Sequence, residues 1–367
     1  MSKRIAVVSN TAWSLYNFRL NLMKELQLKG YDVVAVAPFD EYKEKITFEY
    51  FDIKMNNQGT NIIEDFFLFW RFVRLYKKIK PDVILQFTIK PNIYGTIAAN
   101  FLNIPCINNI AGLGTLFIRE NWLSKIVKLL YKFSQQFAKK IFFQNRDDAE
   151  LFSKIIKQDK CDILPGSGVN LEKFSPRKKE TSEFSFLLMA RLLWDKGVGE
   201  YIEATREVQK KYPDIKFKII GWLDVDNPSA VSKTQMNKWI NEGVVEYLGA
   251  KDDVRDYIAN SDCVVLPSYY REGVPKSLLE SASMARPIIT TDSIGCREVV
   301  DINVNGFLCK PRSVDDLVDK MKKMILLSSL EREEMGKNGR KKMINEFDEK
   351  KVIGKYLIAI KKVIIEK

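Results

Sequence analysis

Residues 263–298 read CVVLPSYYREGVPKSLLESASMARPIITTDSIGCRE, and the order of patterns within them decides the fold. Cys263–Leu266 is a short apolar run rich in β-branched residues, as a buried strand requires. Ser268–Gly273 is a polar, aromatic loop. Pro275 stands where a first helical turn tolerates proline, and Lys276–Ala285 carries apolar residues at helical spacing. Arg286-Pro287 ends that helix, and Ile288–Thr291 is a second buried strand. The helix N-terminus therefore opens at the carboxyl end of a strand, where the N–H groups of Lys276 and Ser277 and the helix dipole favour an anion. Glu272 and Glu280 flank this position, eight residues apart. Two carboxylates would spoil a plain phosphate trap. They fit if they accept hydrogen bonds from the hydroxyls of a sugar and a ribose on either side of the phosphates. On spacing alone, a solvent-facing glutamate pair on an ordinary helix fits equally well.

The same alternation extends outward in both directions. Arg4–Ser9 reads as a buried strand, Asn10–Asn17 as a polar loop, Phe18–Lys29 as a helix closed by Gly30, and Tyr31–Ala37 as the returning strand. This order implies a parallel sheet. The first turn lacks G-x-G-x-x-G, which counts against a nicotinamide-dependent oxidoreductase. Asp65–Lys80 is a helix, Val83–Phe87 a strand, Thr88–Gly95 a loop, Ile104–Ile110 a strand and Ala111–Thr115 a glycine loop. Ligands of such sheets bind beyond the carboxyl ends of strands, so Lys90, Asn92, Gly112 and Gly114 are candidate site residues. Pro176–Ser182 is polar and linker-like. It divides a domain 1–175 from a domain 183–347, with a terminal helix at 348–367 expected to return to the first domain. The second domain begins with strand Phe184–Met189, followed by Arg191 and Lys196 in the next loop. Two cations and a helix N-terminus at one sheet edge suit a diphosphate, whereas the two cations taken alone fit an ordinary solvated surface. Asp224-Val225-Asp226 resembles a metal-binding D-x-D, but no further acidic cluster completes an oxygen cage, and polar loops collect aspartates.

The chain has 367 residues, 46% hydrophobic and 29% charged, enough for two globular domains. No apolar run reaches the roughly 18–20 residues of a spanning helix, and the N-terminus lacks the apolar core of a secretory signal. Five scattered cysteines without metal spacing read as reduced packing thiols, so a cytoplasmic placement is expected. Histidine is absent, which excludes an imidazole base and any His-ligated metal. The net charge of +12 calls for an acidic partner: nucleic acid, anionic lipid or a phosphorylated metabolite. Asn121–Lys140 has five lysines and no acid around Trp122, Ile126, Leu129, Leu130, Phe133 and Phe137. It fits both a basic helix on an anionic membrane and a helix packed on its own sheet with solvated lysines. No nucleic-acid-binding module is recognisable.

Arg271-Glu272-Gly273-Val274-Pro275-Lys276-Ser277-Leu278-Leu279-Glu280, with Arg191 and Lys196 upstream, resembles the Glu-x7-Glu motif and Arg/Lys pair of family 4 retaining glycosyltransferases. Further matches run along the chain at Ser14–Arg19, Phe87–Gly95, Gly166–Asn170, Thr291–Glu298 and Asn305–Leu308. The set is most similar to bacterial transferases of capsule, O-antigen and lipid-linked glycans, many of which move N-acetylhexosamines. The resemblance implies an α/β GT-B fold, two doubly wound Rossmann-like domains facing a cleft. It implies retaining, metal-independent transfer from a UDP-sugar to a polyprenyl-diphosphate-linked saccharide, with no cofactor besides the donor. Arg191 and Lys196 would hold the donor diphosphate and Glu272 the donor sugar. Gly273 and the backbone of Lys276 and Ser277 would meet the phosphates, and Glu280 the ribose. Arg19, Lys90, Asn92, Gly112 and Gly114 would lie on the acceptor side. Peripheral attachment to the inner face of the cell membrane is expected, and no nucleic acid. Two departures stand out: Thr11-Ala12-Trp13 replaces the glycine pair many relatives carry, and their N-terminal histidine is missing. A sugar-nucleotide epimerase of similar architecture and a basic nucleic-acid-binding protein are the alternative readings.

Overall fold

The computed structural model describes residues 2–56, 61–112, 122–153 and 156–366. The chain forms two compact units, one of residues 1–167 with 350–367, the other of residues 168–349. The division falls between Ser167 and Gly168, ahead of the expected linker. Pro176–Ser182 belongs to the second unit because its cations are strapped down: Arg177 pairs with Asp256 at 2.6 Å and Lys179 with Asp262 at 2.5 Å.

In the first unit the strands are β1 (Arg4–Val8), β2 (Asp32–Val36), β3 (Glu49–Phe51), β4 (Val83–Phe87), β5 (Cys106–Ile110), β6 (Lys140–Phe143) and β7 (Cys161–Ile163). They form one parallel sheet in the order β3-β2-β1-β4-β5-β6-β7. The helices are α1 (Ala12–Leu28), α2 (Ile62–Ile79), α3 (Thr96–Phe101), α4 (Trp122–Gln135) and α5 (Arg146–Ser153). The inner strands are buried on both faces because both are covered, and the polar side chains they carry, Gln86, Asn108 and Asn109, are hydrogen-bonded inside. Ile5, Val7, Leu85 and Phe87 face α1 and the terminal helix, whereas Ala6, Val8 and Ile84 face the side of α2, α3 and α4. Two expected loops are helical. Helix α1 starts six residues early, because the Thr11 hydroxyl accepts the Ser14 N–H and caps it. Residues 91–95 of the expected Thr88–Gly95 loop make a π-helical turn leading into α3.

In the second unit β8 (Ser185–Met189), β9 (Lys216–Ile220), β10 (Glu246–Tyr247), β11 (Cys263–Leu266), β12 (Ile288–Thr291) and β13 (Gly306–Cys309) form a parallel sheet in the order β10-β9-β8-β11-β12-β13. Its helices are α6 (Val198–Gln209), α7 (Lys233–Asn241), α8 (Arg255–Ala259), α9 (Lys276–Ser283), α10 (Val314–Leu326) and α11 (Ser329–Glu346). Two apolar cores fill the two faces of the sheet. The terminal helix, α12 (Glu349–Ile365), lies on the sheet of the first unit. Tyr356 sits fully buried among Phe87 and Phe142, and Lys355 pairs with Asp162.

Candidate active site

The stretch at 263–298 is built as read, and its loop is pinned from both sides. The carbonyl of Asp195 accepts the N–H groups of Tyr269 and Tyr270, at 3.1 and 3.0 Å. The carbonyl of Ser268 accepts the hydroxyls of Thr291 and Ser293. Two glycines allow this closeness. Gly197 follows the 3-10 turn Trp194–Lys196 at φ 77°, and a Cβ there would stand 2.1 Å from the Pro267 carbonyl oxygen. At Gly295, φ 83°, a Cβ would stand 1.7 Å from the Gly273 oxygen. Only glycine tolerates both the left-handed backbone and the contact.

This packing brings Lys196 to Glu272. The ammonium and carboxylate meet at 2.5 Å, with side chains only 10% and 12% exposed. The Ser268 hydroxyl donates to the other carboxylate oxygen at 2.7 Å, and the Tyr270 ring faces the ammonium with its centroid at 5.2 Å. Arg191 is exposed at the end of β8; the contact with the Glu272 loop is made by Lys196.

Helix α9 starts beside the loop. Its N-cap is Pro275, no side chain caps it, and no acid occupies its first turn. Lys276 and Ser277 open it at partly buried positions. Glu280 lies one turn on, 3.9 Å from the Lys276 ammonium. Burial pushes the Glu280 carboxyl above its ordinary pKa, and Lys276 and Lys173 pull it partly back. A half-hidden carboxylate of this kind is stabilised by hydroxyl donors. The unit thus gathers a cation, two carboxylates and uncapped helix N–H groups around one sheet edge. Among the described residues no group of three or more Cys, Asp or Glu could hold a metal ion. Asp224 accepts the Lys233 N–H at the start of α7, which is a structural task.

The candidates of the first unit fare differently. Lys90 is bound to Asp65 of α2 at 2.7 Å, with Tyr94 donating to the same carboxylate. Asn92 is buried and donates to the Asn109 carbonyl and the Tyr131 hydroxyl. Both side chains are thus engaged by the α2–α4 layer of the first unit, Lys90 through Asp65 of α2 and Asn92 through Tyr131 of α4. Gly112 follows β5 at φ 98°, and Gly114 lies outside the described residues. Arg19 is 5% exposed, its guanidinium 4.0 Å over the Phe87 ring.

Two family models match the chain: "Glycosyl transferases group 1" over residues 170–342 and "Glycosyl transferase 4-like" over residues 4–145. The first contains every donor-side residue above. The chain belongs to the family 4 glycosyltransferases. It is 29% identical over 96% of its length, and 97% of the relative's, to the N,N'-diacetylbacillosaminyl-diphospho-undecaprenol alpha-1,3-N-acetylgalactosaminyltransferase of Campylobacter jejuni. It is also 29% identical, over 79% of its length and 78% of the relative's, to the UDP-Gal:alpha-D-GlcNAc-diphosphoundecaprenol alpha-1,3-galactosyltransferase of Escherichia coli. Among solved structures, a sucrose-phosphate synthase of Thermosynechococcus elongatus matches with a TM-score of 0.82 at 15% identity, covering 100% of both chains. The fold is the GT-B pair of Rossmann-like domains.

In this glycosyltransferase, sequence reasoning passed over Ser268 and Tyr270. The first anchors the Glu272 carboxylate and the second flanks Lys196. Their signal was present in the loop itself, a hydroxyl four residues before the glutamate and an aromatic two before it.

Proposed function

We propose that the enzyme transfers a sugar, an N-acetylhexosamine, from a UDP-sugar to a polyprenyl-diphosphate-linked saccharide with retention of configuration and without a metal. The observation that carries this reading is the Lys196–Glu272 pair beside the uncapped start of α9. Arg191 and Lys196 offset the charge growing on the leaving diphosphate, the task otherwise given to a metal. Glu272 and Glu280 accept hydrogen bonds from the sugar and the ribose. The chain has no histidine, so a donor phosphate oxygen takes the acceptor hydroxyl proton as the glycosidic oxygen arrives on the face the diphosphate leaves. The named relatives support donor and acceptor classes alike: one carries UDP-Gal in its name, and both carry an undecaprenol diphosphate. A panel of radiolabelled UDP-sugars with lipid-linked acceptors tests it. Label entering the lipid fraction in the presence of chelator is expected. Conversion of the UDP-sugar without acceptor would instead identify an epimerase.

The same reading places the enzyme on the inner face of the membrane. No helix among the described residues is long and apolar enough to cross a bilayer. Two faces support surface attachment. On α2, Ile63, Phe66 and Phe67 are more than half exposed, and Trp70 meets the exposed Phe101 of α3 at 6.2 Å. On α4, Ile126, Leu129 and Phe133 point outward while Tyr131 packs inward, and Lys125 is exposed beside them. Exposed aromatics beside lysines suit the headgroup boundary of an anionic bilayer.

A further inference from the structure

One ionisable group of the first unit has no counter-charge bonded to it among the described residues. Arg19 lies on α1, two turns from the helix start, and only 5% of it is exposed. Its guanidinium rests on Phe87, the last residue of β4, and its Nε is buried without a hydrogen-bond partner. Burial lowers its pKa, and the group pulling it back is the Tyr356 hydroxyl, which is itself raised to about 12 by burial and so neutral near pH 7. Among the described residues the other closely packed cations have partners for their charge. Lys90 has Asp65, Lys196 has Glu272, and Arg340 is ringed by the carbonyls of Leu171, Phe174 and Ser283. A buried charge left unpaired is costly.

The sheet register places other donors around it. Val8 pairs with Gln86, so Ser9, still bonded to the Val36 carbonyl, comes abreast of Phe87. By alternation it shares the face of Ile5, Val7, Leu85 and Phe87, the face covered by α1 and α12. The Ser9 hydroxyl is fully buried and also without a partner. Phe87 pairs with Asn109, whose side chain donates to the Tyr356 hydroxyl at 2.9 Å and accepts from Gln144. That leaves the Tyr356 proton to donate onward. On the face that α1 and α12 cover, a guanidinium from α1, a serine hydroxyl from the end of β1 and a phenol from α12 therefore lie along the sheet, with no carboxylate bonded to any of them among the described residues.

We propose that Arg19, with Ser9 and Tyr356, is an oxyanion subsite that takes a phosphate of a substrate. The proposal rests on the reading that the enzyme handles diphosphate substrates, of which it has two. Arg191 and Lys196 already serve the donor, and the first unit's oxyanion is the diphosphate of the lipid-linked acceptor. Until that anion arrives the guanidinium is held against its own solvation, so the subsite stores a cost that binding relieves.

Arg19→Met, similar in length and uncharged, separates this from a packing role. The free variant is expected to melt above the parent. With UDP saturating, inorganic pyrophosphate is expected to raise the parent's melting temperature and leave that of the variant unmoved. A hydrogen-bonded charge implies a KM for the lipid acceptor raised on the order of 10- to 100-fold, with the KM for the UDP-sugar unchanged. A rise confined to the UDP-sugar KM keeps the subsite and assigns it to the donor diphosphate. Ser9→Ala is expected to keep or raise the melting temperature and to raise the same KM several-fold. Arg19→Met melting below the parent or failing to fold, or both KM values staying within twofold, overturns the proposal. The pyrophosphate shift is read without turnover, so it stands apart from the transfer assay that tests the overall function.

Discussion

Replacing Lys196 by methionine separates its two tasks, pairing Glu272 and stabilising the leaving diphosphate. Both side chains are nearly nine-tenths buried and meet at 2.5 Å. Removing one partner of a pair so placed leaves a stranded carboxylate, at about 3–5 kcal/mol. For a unit of this size each kcal/mol is worth roughly 2–4 °C, so a fall in melting temperature on the order of 10 °C is expected for K196M. The chemical loss is separate. A preorganised charge aimed at the departing group is worth on the order of 10²–10³ in rate. Adding Glu272→Gln removes the stranded charge, so K196M/E272Q should regain most of the lost melting temperature and none of the rate. Calorimetry beside transfer of radiolabelled sugar into lipid reads both. If K196M turns over within a few-fold of the parent, or if the double variant recovers rate together with stability, Lys196 is a structural partner only and the diphosphate assignment fails.

Other substitutions probe the frame and the edges of the site. Gly197→Ala must bring a Cβ within 2.1 Å of the Pro267 oxygen or move the turn that carries Lys196. A shift near 1 Å should cost about 10² in kcat, with a lowered melting temperature; an active, equally stable variant would refute the close packing. Glu280 ionises above its ordinary range because of burial. If, as proposed, the ionised form accepts the ribose hydroxyls, UDP affinity should weaken as pH falls through this raised value, ahead of an ordinary carboxyl. Isothermal titration of UDP against pH should show that dependence vanish in Glu280→Gln, at a lower affinity throughout. Reversing Lys125, Lys128 and Lys132 to glutamate should weaken flotation with anionic liposomes about a hundredfold or more, at about 1 kcal/mol per cation near such a surface. Undiminished flotation refutes the α4 contact and leaves the aromatics of α2 to carry attachment.

The parts of the fold most readily read from the residues were those where one physical demand dominates. β1, β4, β8, β11 and β12 are buried on both faces, so each is a run dominated by apolar and β-branched residues. The start of α9 was legible because proline and the following helical pattern coincide. Elsewhere the deciding interaction was distant in sequence. β3 is a three-residue edge strand, partly exposed and without a strong pattern of its own. Thr11 begins α1 by a single side-chain cap that reads equally well as loop chemistry. The 176–182 stretch looks like a linker until Asp256 and Asp262, some 80 residues on, bind its cations. The outward face of α2 was hidden for the opposite reason. Its buried Phe72 and Tyr76 alternate with exposed Phe66 and Phe67, and aromatic residues on both sides of a helix erase the contrast that marks a face.

The donor-side candidates show the same limit, and the two units, each taken by itself, show what lies beyond it. Spacing could place Glu272 and Glu280 near a helix start, but it could not say that Lys196, 76 positions earlier in the chain, would neutralise the first of them. In the second unit the cation is held ready by a carboxylate of its own chain. An entering diphosphate, with more charge than one carboxylate, can draw Lys196 away at little cost in solvation, since the ammonium is already desolvated and oriented. In the first unit Arg19 is desolvated with no carboxylate to hold it. On the proposed reading these are two ways of preparing for the same kind of anion, and they differ in what the empty enzyme must bear. The paired site exchanges one contact for another, so its neutral variants lose stability unless both partners change. The unpaired one carries an unrelieved charge, so its neutral variant should gain stability while losing affinity. Opposite signs in melting temperature for K196M and R19M, with losses of function in both, are the signature of that difference.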